Sequence, residues 1–220
     1  MRRETYNGQP PSTRIIQAGT EFHRISGSGS SYPPNSFNHA PPKALDDEYQ
    51  GRFEPIDTSH GGYLYVADSL TGAVAEGILR ESHLPRGAIL RRNLLRGKTY
   101  TVMVLERDIE VAELLDGGLP MLGLSATISA CSREDYSWSR TTCHEILTVG
   151  AHLDGVIYRC RHHGGSTALM LLDRHDLDST ALKIVSSHDI LSHQDTLETI
   201  AKVADEDFHL RYVGGGGAIR

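Results

Sequence analysis

The feature that most constrains the fold is a pair of apolar segments with almost nothing between them. Residues 154–161 (DGVIYRCR) and 166–174 (STALMLLDR) are separated only by His162-His163-Gly164-Gly165. Short runs rich in branched and aromatic residues read as strands, and so brief a connection makes them antiparallel neighbours in a hairpin. A lone hairpin is marginal in water, so other elements must cover it.

The rest of the chain offers those elements. GYLYVAD (62–68) suits a short strand, and Asp68 or Ser69 after it can cap the free amides of a helix. Leu70, Ala73, Val74 and Ile78 then recur at helical spacing. Glu76 falls at the edge of that stripe, about 120° from Leu70, where it can reach a cleft beside the core. TYTVMVLE (99–106) reads as a strand, and Ile109–Leu115 as a short helix ended by Asp116-Gly117-Gly118. Arg133–Val149 reads as a helix with Trp138, Cys143, Ile146 and Leu147 inward, and Gln194–Val203 as another. Strands and helices alternate without a βαβ rhythm. The expected class is α+β, one domain with a mixed or antiparallel sheet core and flanking helices. Residues 1–19 are expected as a flexible arm, 20–205 as the domain and 206–220, with its GGGG run, as a flexible tail. Between Phe22–Ile25 (FHRI) and Arg52, the stretch SGSGSSYPPNSFNHAPPK is a long loop, and loops of that length are usually functional or mobile.

Composition excludes some roles. With 22 Lys and Arg against 28 Asp and Glu, the net charge of −6 argues against a nucleic-acid-coating protein. No apolar run approaches a membrane span, and the polar, proline-broken start does not resemble a signal peptide, so a cytoplasmic protein without membrane contact is expected. Cys131, Cys143 and Cys160 are odd in number and form no CxxC pair, which agrees with a reducing compartment. No metal site is expected. His144-Glu145 with His152 lacks the spacing that puts two imidazoles on one helix face, and adjacent His162 and His163 would point to opposite sides of a strand. Gly97-Lys98-Thr99 has Arg92 where a phosphate loop needs glycine, and Gly123-Leu124-Ser125 fails as a nucleophile elbow at Thr127.

What remains is an ordered series: Arg24, Gly51-Arg52, Tyr65, Glu76 and Tyr158-Arg159-Cys160. Singly, each has an ordinary reading. The arginines could be surface residues, Tyr65 a half-buried strand tyrosine, and Glu76 a helix-surface acid paired with Arg80. Together, GRFEPIDTSHGGYLYVADSLTGAVAE (51–76) resembles the signature of the RES-domain family: an arginine after glycine, a leucine-tyrosine strand, and a helix bearing alanine-x-x-glutamate. DGVIYRCRH resembles the closing strand of that family, and the likeness spans roughly residues 20–175.

The resemblance implies a fold related to ADP-ribosylating toxins, with NAD as substrate and no separate cofactor or metal. Many members of that family are bacterial toxins that degrade NAD and are neutralised by a helix-turn-helix antitoxin, while others occur without an evident partner. The resemblance thus implies an antitoxin as one candidate partner. Arg24 and Arg52 would clamp the diphosphate through planar, charge-assisted contacts. Glu76 would stabilise positive charge developing on the ribose, and Tyr65 would offer an aromatic face or a hydroxyl. Tyr63 and Arg161 are further binding candidates. Cys160 stands where the family carries a serine, and a thiol is the weaker donor; Ser166 lies close by in sequence. Three outcomes are compatible with these residues. One is cleavage of the nicotinamide–ribose bond with transfer to water or phosphate. Another is ADP-ribosylation of a protein or small-molecule acceptor docked near the 26–51 loop, and the last is nucleotide binding without turnover. A homo-oligomer also stays open, since many soluble proteins form them.

Overall fold

The structure is a computed structural model that describes residues 3–29, 32–45, 47, 50–80, 84–214 and 217–218. It begins with strands β1 (Thr13–Ile16), β2 (Glu21–Gly27) and β3 (Tyr63–Ala67), then helix α1 (Leu70–Gly77). Strand β4 (Ile89–Arg91), helix α2 (Arg92–Leu95) and strands β5 (Lys98–Leu105) and β6 (Ile109–Leu114) follow. Helices α3 (Thr127–Ala130) and α4 (Tyr136–Val149) lead to strands β7 (Gly155–Cys160), β8 (His163–Leu172) and β9 (Leu182–Asp189). The chain closes with helix α5 (Gln194–Phe208) and strands β10 (Arg211–Gly214) and β11 (Gly217–Ala218).

The described residues build an eight-stranded mixed sheet in the order β1-β6-β7-β8-β3-β2-β5-β9. Its neighbours are antiparallel except β6 and β7, which run parallel. Because side chains alternate between faces, the sheet feeds two separate cores. On one face Val156, Tyr158, Ala168 and Met170 pack under α1, α4 and α5 through Val74, Ile146 and Ile200. On the other, Phe22, Leu64, Val66, Met103 and Leu169 are covered by loop residues Phe37, Leu115 and Leu177. This is the α+β architecture expected from the sequence. The β7–β8 hairpin forms as read, with a tighter turn, since β8 already begins at His163.

One element departs from its expected type. Residues 109–114 are a strand, not a helix: Ile109 and Val111 face one core, Ala112 and Leu114 the other. A strand covered on both faces loses the alternation that would betray it. The 1–19 segment, expected as an arm, contributes β1, which pairs with β6. Helix α5 runs on to Phe208, and Arg211–Val213 of the expected tail pair in parallel with β4. Gly215 and Gly216 of that tail lie outside the described residues. Among the described residues, no helix is long and apolar enough to cross a membrane.

Candidate active site

The site begins with a defect in the sheet. β2 and β3 are joined at a single pair, His23 with Ala67. Beyond it β2 stays bonded to β5 as far as Gly27, while β3 stays bonded to β8 back to Tyr63. The two strands therefore part, and the wedge between them is a cleft of about 290 Å³. Arg24–Gly27 form one wall, Tyr65–Ala67 another, and Ala73, Glu76, Gly77, Arg80 and Tyr158 complete it.

Helix α1 is held across this wedge by two local features. Ser69 caps its first turn by accepting a hydrogen bond from the Gly72 amide. Gly77 lies so near β2 that a Cβ there would sit 2.7 Å from the Ile25 Cβ and carbonyl oxygen. Glycine thus lets the helix approach closely and carries Glu76 to the gap. Glu76 is mostly buried; its Oε1 accepts from the Arg161 backbone amide at 3.4 Å and lies 3.8 Å from Arg52 Nη1.

Arg52 itself does not line the cleft. It is 2% exposed, and its guanidinium is enclosed by the rings of Phe53, Tyr136 and Tyr158 at 5.6–5.9 Å from their centroids. Among the described residues, none of its side-chain nitrogens has a hydrogen-bond partner. Burial pulls its pKa down, but attraction to Glu76 and to the tyrosines outweighs this and the net shift is upward. The segment that carries it is fastened from two sides. Ser139 Oγ donates to the Arg52 carbonyl at 2.7 Å, and the Phe53 amide donates to the Tyr65 hydroxyl at 2.9 Å.

The fastening extends further through α4. Arg140, 1% exposed, donates to the carbonyls of Lys43, Ala44, Glu54 and Pro55 and to Gln50 Oε1. It ties residues 43, 44, 50, 54 and 55, on either side of Arg52 in sequence, to α4. Its signal was present in the sequence, since Arg140 falls within the apolar stripe Tyr136, Cys143, Ile146, Leu147 of α4.

The other expected residues separate as follows. Arg24 lines the cleft; its guanidinium donates to the Pro34 carbonyl, and burial pulls its pKa down to about 10. Tyr65 presents its half-buried ring to the cleft, and burial followed by the nearby Glu54 charge raises its phenol well above the ordinary value. Tyr63 instead lines a pocket of about 200 Å³ with Glu54 and His39, its hydroxyl accepting from Asn38 Nδ2 at 2.8 Å. Arg161 contributes its backbone amide to Glu76. Cys160 is 2% exposed and does not line the cleft; its thiol faces the Gly72 carbonyl at 4.0 Å, and burial pushes its pKa up. Ser166 bonds to His163 and Ser69 at the start of α1. His23 and Arg80, both cleft residues, were missed. Arg80 was visible only as a possible i+4 partner of Glu76, whereas it donates to the Gln50 carbonyl at 3.0 Å.

A family model described as the RES domain matches residues 21–192, which includes every element lining the cleft. The chain belongs to the RES-domain family. Among solved structures, this RES protein resembles a chain of the crystal structure of the M. tuberculosis MbcT–MbcA toxin–antitoxin complex, with a TM-score of 0.52 and 16% identity. That match covers 80% of this chain and 86% of the other, and at such identity it shows the shared fold. No curated protein matches the chain.

Proposed function

We propose that this RES protein cleaves the nicotinamide–ribose bond of NAD and passes ADP-ribose to water or phosphate. The observation that carries this reading is Glu76, a carboxylate held at the parting of β2 and β3 by a buried guanidinium and a backbone amide. In the reaction the C1′–N bond breaks and nicotinamide leaves with the electron pair, while positive charge develops on the ribose. A fixed carboxylate beside that ring stabilises the transition state more than the ground state. The acceptor oxygen then bonds to C1′ and its proton passes to bulk water. Arg24 supplies a planar cation for the diphosphate, and the Tyr65 ring offers an apolar face for nicotinamide. The family membership and the fold shared with a toxin–antitoxin chain support a role as a toxin restrained by an antitoxin.

A second reading, transfer of ADP-ribose to a larger acceptor, draws on a groove of about 980 Å³ that shares Arg24, Ser26 and Gly27 with the cleft. Nicotinamide release from NAD by purified protein, with and without phosphate, separates the two. Wild type should release nicotinamide unaided and form a phosphorylated product when phosphate is present. Glu76→Gln should lose release by about 10²-fold or more. Release only on adding an acceptor protein would favour the second reading, and none under any condition would sink both.

A further inference from the structure

The cleft carries more positive charge than its acid neutralises. Arg24 and Arg80 line it and Arg52 lies behind it, while Glu76 is the one carboxylate among its described lining residues. A largely buried cation without an acidic partner is costly unless an anion joins it. Charge alone therefore selects an anionic ligand.

The guanidinium groups are not equivalent. Arg52 is sealed behind aromatic rings and turned toward Glu76. Arg80, in the turn that follows α1, borders the open cleft four residues beyond Glu76. Its Nη2 is anchored on the Gln50 carbonyl, and its Cζ lies 5.6 Å from the centroid of the Tyr136 ring. A guanidinium has five N–H donors, so these anchors leave others for a ligand while fixing the fork in place. That is the preorganised geometry in which arginine binds paired phosphate oxygens.

We propose that Arg80, together with Arg24, binds the diphosphate of the substrate, and that Arg52 is a positioning residue acting through Glu76. This rests on the NAD reading above. It also moves the diphosphate clamp from the residue suggested by sequence order to one that borders the cleft.

Calorimetric titration with ADP and with adenosine tests it, using wild type, Arg80→Gln, Arg80→Lys and Arg52→Lys. Arg80→Gln should weaken ADP by about 10- to 100-fold, the range for a charged hydrogen bond, and leave adenosine unchanged. Arg80→Lys should fall between, since it keeps the charge and loses the fork. Arg52→Lys should bind ADP within about twofold of wild type while kcat for nicotinamide release drops at unchanged KM. Unchanged ADP affinity in Arg80→Gln, or equal loss of ADP and adenosine, overturns the assignment of Arg80. Loss of ADP binding in Arg52→Lys overturns the division of roles. Wild type that binds neither ADP nor adenosine and releases no nicotinamide from NAD would instead remove the NAD reading itself, a distinct result.

Discussion

Replacing Arg140 by methionine should loosen the segment that carries Arg52 more than any surface change. The substitution keeps most of the buried stem and removes the guanidinium that meets five acceptors on residues 43, 44, 50, 54 and 55. Charged hydrogen bonds contribute about 1.5–3 kcal/mol each, so the gross loss is on the order of 7–15 kcal/mol. Not burying a cation returns several kcal/mol, and carbonyls near the surface regain water, leaving a net cost of roughly 3–5 kcal/mol. Swapping a buried charge for an apolar residue is often neutral when its partners are replaced as well. Here four of the acceptors are backbone carbonyls and cannot be replaced. Urea unfolding followed by Trp138, the single tryptophan, reports from the same helix. Hydrogen exchange at residues 50–55 should rise in parallel, because that segment loses its anchor. Arg159→Met is the control, since its ion pair with Asp116 is 3.5 Å long between partly exposed side chains and should be worth less than about 1 kcal/mol. An Arg140→Met protein within 1 kcal/mol of wild type, with unchanged exchange at 50–55, would refute the reasoning.

Gly77→Ala should lower stability by about 1–3 kcal/mol through overpacking against Ile25. Because Glu76 is adjacent, nicotinamide release should fall further than the loss of folded protein accounts for. Acid should destabilise the protein through His23, His60 and His162. Burial lowers each below the ordinary value of 6.5, and the Arg174 charge also lowers His60. The folded state then binds fewer protons than the unfolded chain. Stability is therefore whole above about pH 6.5 and is lost as pH falls from there through the depressed values, by at most about 1.4 kcal/mol per pH unit for each histidine. Urea midpoints should drop between pH 7.5 and 5.5, and His60→Gln should flatten that slope; equal midpoints across this range would contradict it.

Local patterns in the sequence were enough for much of the fold. β3, α1, α4 and the β7–β8 hairpin announce themselves through alternation, helical spacing, a capping serine and a short turn, all of which act between near neighbours. The order Arg24, Arg52, Tyr65, Glu76 was likewise legible, because types and spacers agree over a short stretch. What the sequence left undecided depends on residues far apart along the chain. β6 becomes a strand because β1 and β7 supply its hydrogen bonds and both faces are covered, which erases its alternation. The cleft exists because β2 and β3 separate after one pair, each satisfied by a different neighbour. Burial of Arg52, exposure of Arg80 to the cleft, and the grip of Arg140 on the loop follow from where the elements pack. Side-chain type sets what a residue can do, and only tertiary packing decides whether a ligand can reach it.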